Sequence, residues 1–402
     1  MISSGPARVL FLSNGHGEDT IAAAVIDRLR LREPACPIAS WPMVGAGEAY
    51  AERGITRVGP PNFAPSEGFG TLSMKWLWRD VRAGLIGDYR RQWVAARRLR
   101  GRFDLAVAVG DIVPALVAHS ADLPYLFVGC AKCSSYPWRG RYHRVELVLI
   151  RRRCLGAFAR DVETADRMAR AGVPAWHVGN PMMDDLRPST PLDIPADRPV
   201  VAMLPGSRAD AVANACRLVC LARATAASLS PPERPHWVVA PARTFDLAAF
   251  IRTIAGPADG VVLTSTPSSA AGGGVRLTDS AGTIVEVLPG HFVSAVRRAL
   301  VVVGMAGTAN EQSVGLGRPL VALPATGPCG VGYLRMKAHL FGDAAVTVES
   351  GDGDAVAAVI ALLRDPARRA RMEQAGRRLM GPPGASDAIA DAICAAARRL
   401  TP

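Results

Sequence analysis

Residues 300–324 read LVVVGMAGTANEQSVGLGRPLVALP. An apolar run of strand length (300–303) meets a glycine-rich turn, then a helix-forming stretch, then Gly-Arg-Pro and a second apolar run (320–323). Strands that are apolar on both faces, joined through a helix, predict a βαβ unit in a parallel sheet. The same alternation extends outward. Further apolar runs stand at 200–204, 237–240 and 261–263 in the second half, and at 9–12, 105–109, 125–128, 155–158 and 176–178 in the first. Helical stretches at 21–32, 112–120 and 162–171 fall between the earlier runs. Pro181, Pro188, Pro191, Pro195 and Pro199 punctuate 179–199 and mark an interdomain connection. The expectation is an α/β chain of two Rossmann-like domains facing a cleft, residues 1–190 and 191–402. The second would carry the Ala/Arg-rich helix at 386–400.

Bulk composition narrows the class. A chain of 402 residues, 49% hydrophobic and 20% charged, can bury a core in each half. No apolar run has the length of a membrane span, and residues 9–12 are too short for a signal peptide. A cytoplasmic protein, or one peripheral to a membrane, is expected. Among eight cysteines, Cys130 and Cys133 form one CxxC without the second pair a zinc site needs. Reduced thiols and no metal are expected. Net charge is +12, and residues 75–153 hold 16 Lys and Arg against 6 Asp and Glu. Such a face attracts phosphate, whether of nucleic acid, anionic lipid or a phosphorylated substrate.

Residues 75–102 read as one long helix. Trp78, Val81, Leu85, Tyr89, Trp93, Ala96 and Leu99 step by three or four along one face, with arginines around them. A core helix with a solvated basic back is one reading. A membrane-surface helix, with Trp76 and Leu77 as exposed overflow, is the other. The stretch TSTPSSAAGGG (264–274) reads as a flexible insertion.

Four stretches carry chemistry. Asn14-Gly15-His16-Gly17-Glu18-Asp19 follows the first strand, where glycines admit a ligand to the backbone and the helix N-terminus favours an anion. His16 there is equally open to packing or to ligand contact. Gly110-Asp111 follows the run 105–109. Its carboxylate stands at a strand's carboxyl end, either as a base for a hydroxyl nucleophile or as a helix cap. Gly206-Ser207-Arg208 joins a permissive backbone, a hydroxyl and a forked cation, a set suited to diphosphate. Gly304 to Gln312 opens a helix with Gly307, Thr308 and Asn310. Glu311 or Gln312 would stand one turn in, where ribose hydroxyls could be held. There is no P-loop, no GxSxG elbow, no HExxH and no nucleic-acid-binding pattern.

Together these motifs resemble lipid-A-disaccharide synthase and, more closely, the group of lipid-A-disaccharide synthase-related proteins. The resemblance runs nearly the whole chain. It is carried by LFLSNGHGEDTIA (10–22), VGNPMMDDL (178–186), LPGSR (204–208) and GMAGTANEQSVGLGRPLVALP (304–324). The GNPMMD piece also resembles the hinge of UDP-N-acetylglucosamine 2-epimerases, within the wider GT-B class. The resemblance implies a UDP-sugar in the second domain, with Gly206, Ser207 and Arg208 near the diphosphate. Gly307, Thr308, Asn310, Glu311 and Gln312 would stand near phosphate and ribose. It implies a lipid-linked sugar acceptor in the first domain, held by Asn14, Gly15, Gly17, Glu18 and Asp19. Asp111 falls where the synthase's proposed base sits, and His16 is the other candidate. The implied reaction joins UDP-2,3-diacylglucosamine to a lipid monosaccharide phosphate with inversion, without metal or cofactor. It would take place at an anionic membrane surface, on the cytoplasmic face of the inner membrane. The first loop reads GHGED where the synthase has a GEASGD type. IVPAL follows Gly110-Asp111 where the synthase has APDF, and Gln312 takes the synthase's ribose-glutamate position. An epimerase-like enzyme and a non-catalytic nucleotide-sugar or lipid-binding protein are the alternatives.

Overall fold

The computed structural model describes residues 6–60, 78, 81–82, 84–137, 140–186, 191–255, 263–327 and 329–400. Two compact units partition the chain: residues 1–185 with 382–402, and residues 186–381.

The first unit contains β1 (Val9–Ser13), α1 (His16–Arg32), β2 (Ile38–Pro42), α2 (Glu48–Ala51), β3 (Thr56–Arg57), α3 (Leu85–Arg97), β4 (Leu105–Val109), α4 (Ile112–Ser120), β5 (Tyr125–Gly129), α5 (Arg144–Arg151), β6 (Cys154–Ala159), α6 (Val162–Arg170) and β7 (Ala175–Trp176). Its sheet runs β3-β2-β1-β4-β5-β6-β7 and every pairing is parallel. All five residues of β1, of β4 and of β5 are buried, because helices cover both faces. The strand order reverses between β1 and β4, so the loops after these strands diverge and leave a crevice at their carboxyl ends.

The second unit contains β8 (Val200–Leu204), α7 (Ala211–Ala227), β9 (His236–Val239), α8 (Leu247–Ile254), β10 (Thr264–Pro267), β11 (Val275–Thr278), β12 (Ile284–Val287), α9 (Phe292–Arg298), β13 (Val301–Gly304), α10 (Thr308–Gly315), β14 (Leu320–Ala322), α11 (Val331–Phe341), β15 (Ala345–Thr347), α12 (Asp352–Arg364) and α13 (Pro366–Met380). Its order is β10-β11-β12-β9-β8-β13-β14-β15, with the reversal between β8 and β13. Only the β10–β11 and β11–β12 pairings are antiparallel. The low-complexity stretch 264–274 is therefore no loose insertion. It supplies β10 and the turn of a hairpin, and Ser268 Oγ donates to the fully buried Glu286 at 2.6 Å. Residues 261–262 of the expected strand lie outside the described residues, and the strand stands just beyond them.

The last helix, α14 (Ala385–Leu400), corrects the expectation that it belongs to the second domain. It packs on α1 and buries Ala385, Ile389, Ala390 and Ile393. Arg32 reaches both Asp391 (2.5 Å) and Asp387 (3.0 Å) across the contact. Its start is held by the motif at 178–186, since the backbone N–H groups of Gly384 and Ser386 both donate to Asp184 at 2.5 Å. Helical periodicity announces an apolar face but not the surface that will cover it.

The expected core face of the 75–102 helix is also corrected. Residues 75–77, with Trp76 and Leu77, lie outside the described residues. Among the described side chains of α3, Gln92 and Ala96 are buried, as is Leu99 just beyond it, so the end of the expected face holds, while Trp93 is exposed and stacks under Arg97 at 4.0 Å, and Trp78 and Val81 are exposed as well. Gln92 donates to the Met43 carbonyl at 3.1 Å. That satisfied amide lets a polar residue take the inward position and turns the tryptophan out. Among the described residues no helix is long and apolar enough to cross a membrane.

Candidate active site

In the first unit, β1 and β4 pair in register from Val9 with Leu105 to Ser13 with Val109, so the next residues of each strand emerge side by side. Asn14 leaves β1 and its amide donates to Asp111 Oδ1 at 2.7 Å. The same oxygen accepts the Val113 N–H at 2.8 Å, so Asp111 also caps α4. Both readings of Asp111 made from sequence are thus compatible, because the cap and the amide share one oxygen. Among the described residues Oδ2 accepts no hydrogen bond, and it is the atom left for a proton.

Gly110 is required for this convergence. Its φ is +126°, and a Cβ there would lie 2.1 Å from Asn14 Oδ1. Glu18 folds back over the same spot. Its carboxylate would meet a Cβ on Gly15 at 2.3 Å, and its Cγ one on Gly110 at 3.3 Å. Asp111 is half-buried, and loss of water raises its pKa above the usual carboxylate range. The Val113 N–H, Lys132 and Asn14 oppose that rise, while Glu146 adds to it. Lys132 and Glu146 themselves pair at 2.6 Å. His16 begins α1 with its ring against Gly45, where a Cβ would come within 2.6 Å of Cε1, and Gly17 follows in the same turn.

Asp19 stands apart from this group. It is 1% exposed and accepts from Ser13 Oγ at 2.6 Å, while Ser13 also bonds Tyr50 at 2.6 Å. Burial pushes the Asp19 carboxyl up to about 7, against the lowering bond from Ser13. Of the loop residues expected to meet a ligand, Asp19 is the one turned into the protein. Tyr50, which completes the set, comes from α2 and gave no sequence signal.

In the second unit, β8 and β13 pair from Val201 with Val301 to Leu204 with Gly304, and the Met305 N–H donates to the Leu204 carbonyl at 2.9 Å. The two glycine turns are therefore neighbours. Gly206 has φ +95°, and a Cβ on it would stand 3.9 Å from the Met305 carbonyl. Ser207 is exposed and Arg208 half-buried, its Nη1 donating to Cys329 Sγ at 3.5 Å. Gly307 caps α10, and Thr308 opens it, both half-exposed. The turn after β8 is tied to the loop after β14. Asn214 Nδ2 donates to the Pro205 carbonyl at 2.9 Å, its Oδ1 accepts from Thr326, and Asp210 accepts the Gly327 N–H at 2.8 Å.

Asn310 and Glu311 are buried, and Gln312 is half-exposed. Glu311 forms a buried ion pair with Lys337, which also lies 5.4 Å from the Tyr333 ring. The Tyr333 hydroxyl reaches the turn itself, 3.1 Å from where a Cβ on Gly307 would stand. Sequence reasoning missed Asn214, Tyr333 and Lys337. Asn214 was legible as a side chain one turn from Asp210 on a helix that opens at the glycine turn. Lys337 and Tyr333 meet α10 only through the fold.

The chemistry of the two groups differs. The first presents a carboxylate of raised proton affinity with one oxygen open. The second presents a forked cation, a hydroxyl and a helix N-terminus, all suited to an anion.

No family model matches the chain. A lipid-A-disaccharide synthase of Burkholderia cenocepacia (strain HI2424) is 35% identical over 104 residues, which is 24% of this chain and 25% of that protein. The chain thus matches about a quarter of the length of that relative. Solved structures match it nearly end to end at low identity. The S. aureus MnaA–UDP co-structure has a TM-score of 0.60 at 13% identity, covering 96% of each chain. The UDP-GlcNAc 2-epimerase of Neisseria meningitidis bound to UDP-GlcNAc has 0.56 at 13%, covering 96% of this chain and 99% of the other. The calicheamicin glycosyltransferase CalG4 has 0.58 at 17%, covering 99% and 100%. These likenesses establish the fold: α/β, two parallel-sheet Rossmann-like domains, with the GT-B-like architecture of UDP-sugar epimerases and glycosyltransferases.

Proposed function

We propose that this chain is an inverting glycosyltransferase that moves a sugar from a UDP-sugar to a lipid-linked acceptor, in the manner of lipid-A-disaccharide synthase. One observation carries the reading: the turn at Gly206–Arg208 and the turn at Gly307–Thr308 stand side by side on paired strands of one unit. Two anion-binding turns in contact fit a nucleoside diphosphate better than a single phosphate. The partial likeness to a lipid-A-disaccharide synthase and the nucleotides named for two of the similar structures support the donor class.

In this mechanism the acceptor hydroxyl gives its proton to Asp111 Oδ2, and its oxygen bonds to C1 of the donor sugar. The bond from C1 to the diphosphate oxygen breaks on the opposite face, which inverts the anomeric centre. Arg208 and the N-terminus of α10 take up the charge that grows on the leaving UDP. Positive charge for the leaving group thus comes from the chain's own groups. His16 is the second candidate for proton transfer, and Asn14 orients the Asp111 carboxylate.

The likeness to epimerases sustains a second reading, in which UDP-N-acetylglucosamine is inverted at C2 without an acceptor. The test is UDP release from a panel of UDP-sugars, UDP-2,3-diacylglucosamine included, with and without a lipid monosaccharide phosphate in detergent. Release that requires the acceptor is the expected result. Conversion of UDP-N-acetylglucosamine with no acceptor would replace this reading with the epimerase. Binding of UDP-sugars with no turnover under either condition would leave a binding protein.

A further inference from the structure

An ion pair with no part in the transfer described above stands beside the Gly110–Asp111 turn. β4 and β5 pair from Ala106 with Tyr125 to Val109 with Val128, and the Gly110 N–H donates to the Val128 carbonyl at 2.9 Å. The loop leaving β5 therefore emerges beside Asp111. It carries Lys132, whose Nζ donates to Glu146 Oε1 on α5 at 2.6 Å, with the two side chains only 19% and 16% exposed. The buried Tyr142 joins this pair to the turn. Its ring centre lies 5.8 Å from Lys132 Nζ, and its hydroxyl donates to the Gly110 carbonyl at 3.5 Å. Gly129 permits the approach, since a Cβ there would stand 2.8 Å from the Tyr142 hydroxyl. The other groups that face Asp111 are Asn14, Glu18 of α1 over Gly110, and the N-terminus of its own helix α4.

We propose that Lys132 is a positioning residue for Asp111: its ammonium, held by Glu146 and the Tyr142 ring, keeps the carboxylate charged and ready to take the acceptor's proton. The inference rests on the proton transfer proposed for Asp111. A purely structural clasp accounts poorly for the pair. Glu146 already closes the start of α5, where its Oε2 accepts the His143 N–H at 2.9 Å in a capping box, so the helix does not need Lys132 to begin. Desolvation of two charges offsets much of their mutual attraction, so a pair this far from water contributes little net stability. Its field is a different matter. Burial favours the protonated form of Asp111. After the Val113 N–H, the largest influence against it is Lys132, which outweighs the opposite effect of Glu146. The ammonium thus acts on Asp111 through space, while Glu146 fixes its place and limits its reach.

The test is the proton affinity of Asp111 in Lys132→Gln, in Glu146→Gln and in the double variant. It is read by NMR titration of isotope-labelled aspartate carboxyl carbons, with the Asp111 resonance assigned by its loss in Asp111→Asn. The second readout is the pH profile of kcat/KM, whose fall towards low pH reports protonation of the base. Lys132→Gln leaves Glu146 unopposed, so Asp111 should hold its proton about tenfold more tightly and the fall should move to higher pH. Glu146→Gln keeps the cap, leaves Lys132 unopposed, and should move both readouts the other way by roughly threefold. The double variant should lie between the two, and Lys132→Arg, which keeps the charge, should stay near wild type. The acceptor KM at the optimum pH should change by less than about twofold, because Lys132 acts through Asp111 and not on the substrate. Far-UV circular dichroism and thermal unfolding check that each variant is folded. Unmoved titrations in both folded single variants, shifts of the same sign in both, or an acceptor KM raised about tenfold with the titration unmoved would each overturn the inference. Wild-type turnover by Asp111→Asn would overturn the proton transfer itself and this inference with it, whereas the former results beside an inactive Asp111→Asn would overturn this inference alone.

Discussion

The loops at the two strand-order reversals are built alike and charged oppositely. Each lies beyond two paired parallel strands, each uses a glycine of positive φ to bring its turns together, and each opens a helix. After β1 and β4 the groups that converge are Asn14, Glu18 and Asp111, with Asp19 buried behind. After β8 and β13 they are Ser207, Arg208 and Gly307, with the Glu311–Lys337 pair buried behind. Topology thus supplies the crevice, whereas the side chains at the turns decide its use. A carboxylate with an open oxygen suits the proton transfer proposed for it, and a cation beside two helix-opening turns suits the proposed phosphate.

Neutralising the proton-handling side should have the largest effect. Asp111→Asn keeps the cap geometry and should lower turnover by about 10²–10⁴-fold while UDP binding persists. Steady-state rates with isothermal titration of UDP check both halves of that statement. Next in size is the buried pair behind the other loop. Glu311→Gln would leave Lys337 charged and buried, at a cost of ~3–5 kcal/mol, read as a shift of the urea midpoint.

Asp19 offers a smaller effect with a defined pH signature. Its folded-state pKa of about 7 lies above the ordinary carboxylate value of 3.8, so the native state binds the proton more tightly than the unfolded chain. Its contribution is fully present below about pH 4 and is lost as pH rises through 7, by an amount on the order of 2–4 kcal/mol. Urea unfolding at about pH 5 and about pH 8 should show wild type losing stability between them and Asp19→Asn losing less. The smallest effect is expected at Arg208. Arg208→Lys keeps the charge but not the fork, and should weaken UDP binding roughly tenfold.

Much of the fold was legible because buried parallel strands are nearly pure in composition. The run at 105–109 is a strand over the same residues, and the βαβ unit of 300–324 stands as β13, α10 and β14. Strands with polar interruptions were missed. β2 (Ile38–Pro42) contains Ser40 and a terminal proline, and β12 contains Glu286, whose burial is offset by bonds from Ser268 and Arg276. Apolar spacing turns Trp93 inward because it cannot see that Gln92 has a carbonyl waiting at Met43. At the site, glycines after apolar runs marked the turns themselves, but which turns stand side by side came only from the pairing of β1 with β4 and of β8 with β13. The inward turn of Asp19 and Glu311 was not legible, because Tyr50 and Lys337 arrive from distant elements.

UDP titration calorimetry on wild type, Arg208→Ala and Asp111→Asn, under one buffer and salt, puts the opposition between the two loops to the test. Binding should be lost or at least about tenfold weaker in Arg208→Ala and unchanged within about twofold in Asp111→Asn. Loss of UDP binding in Asp111→Asn with retention in Arg208→Ala would contradict this division, and would place the nucleotide at the first unit's turns.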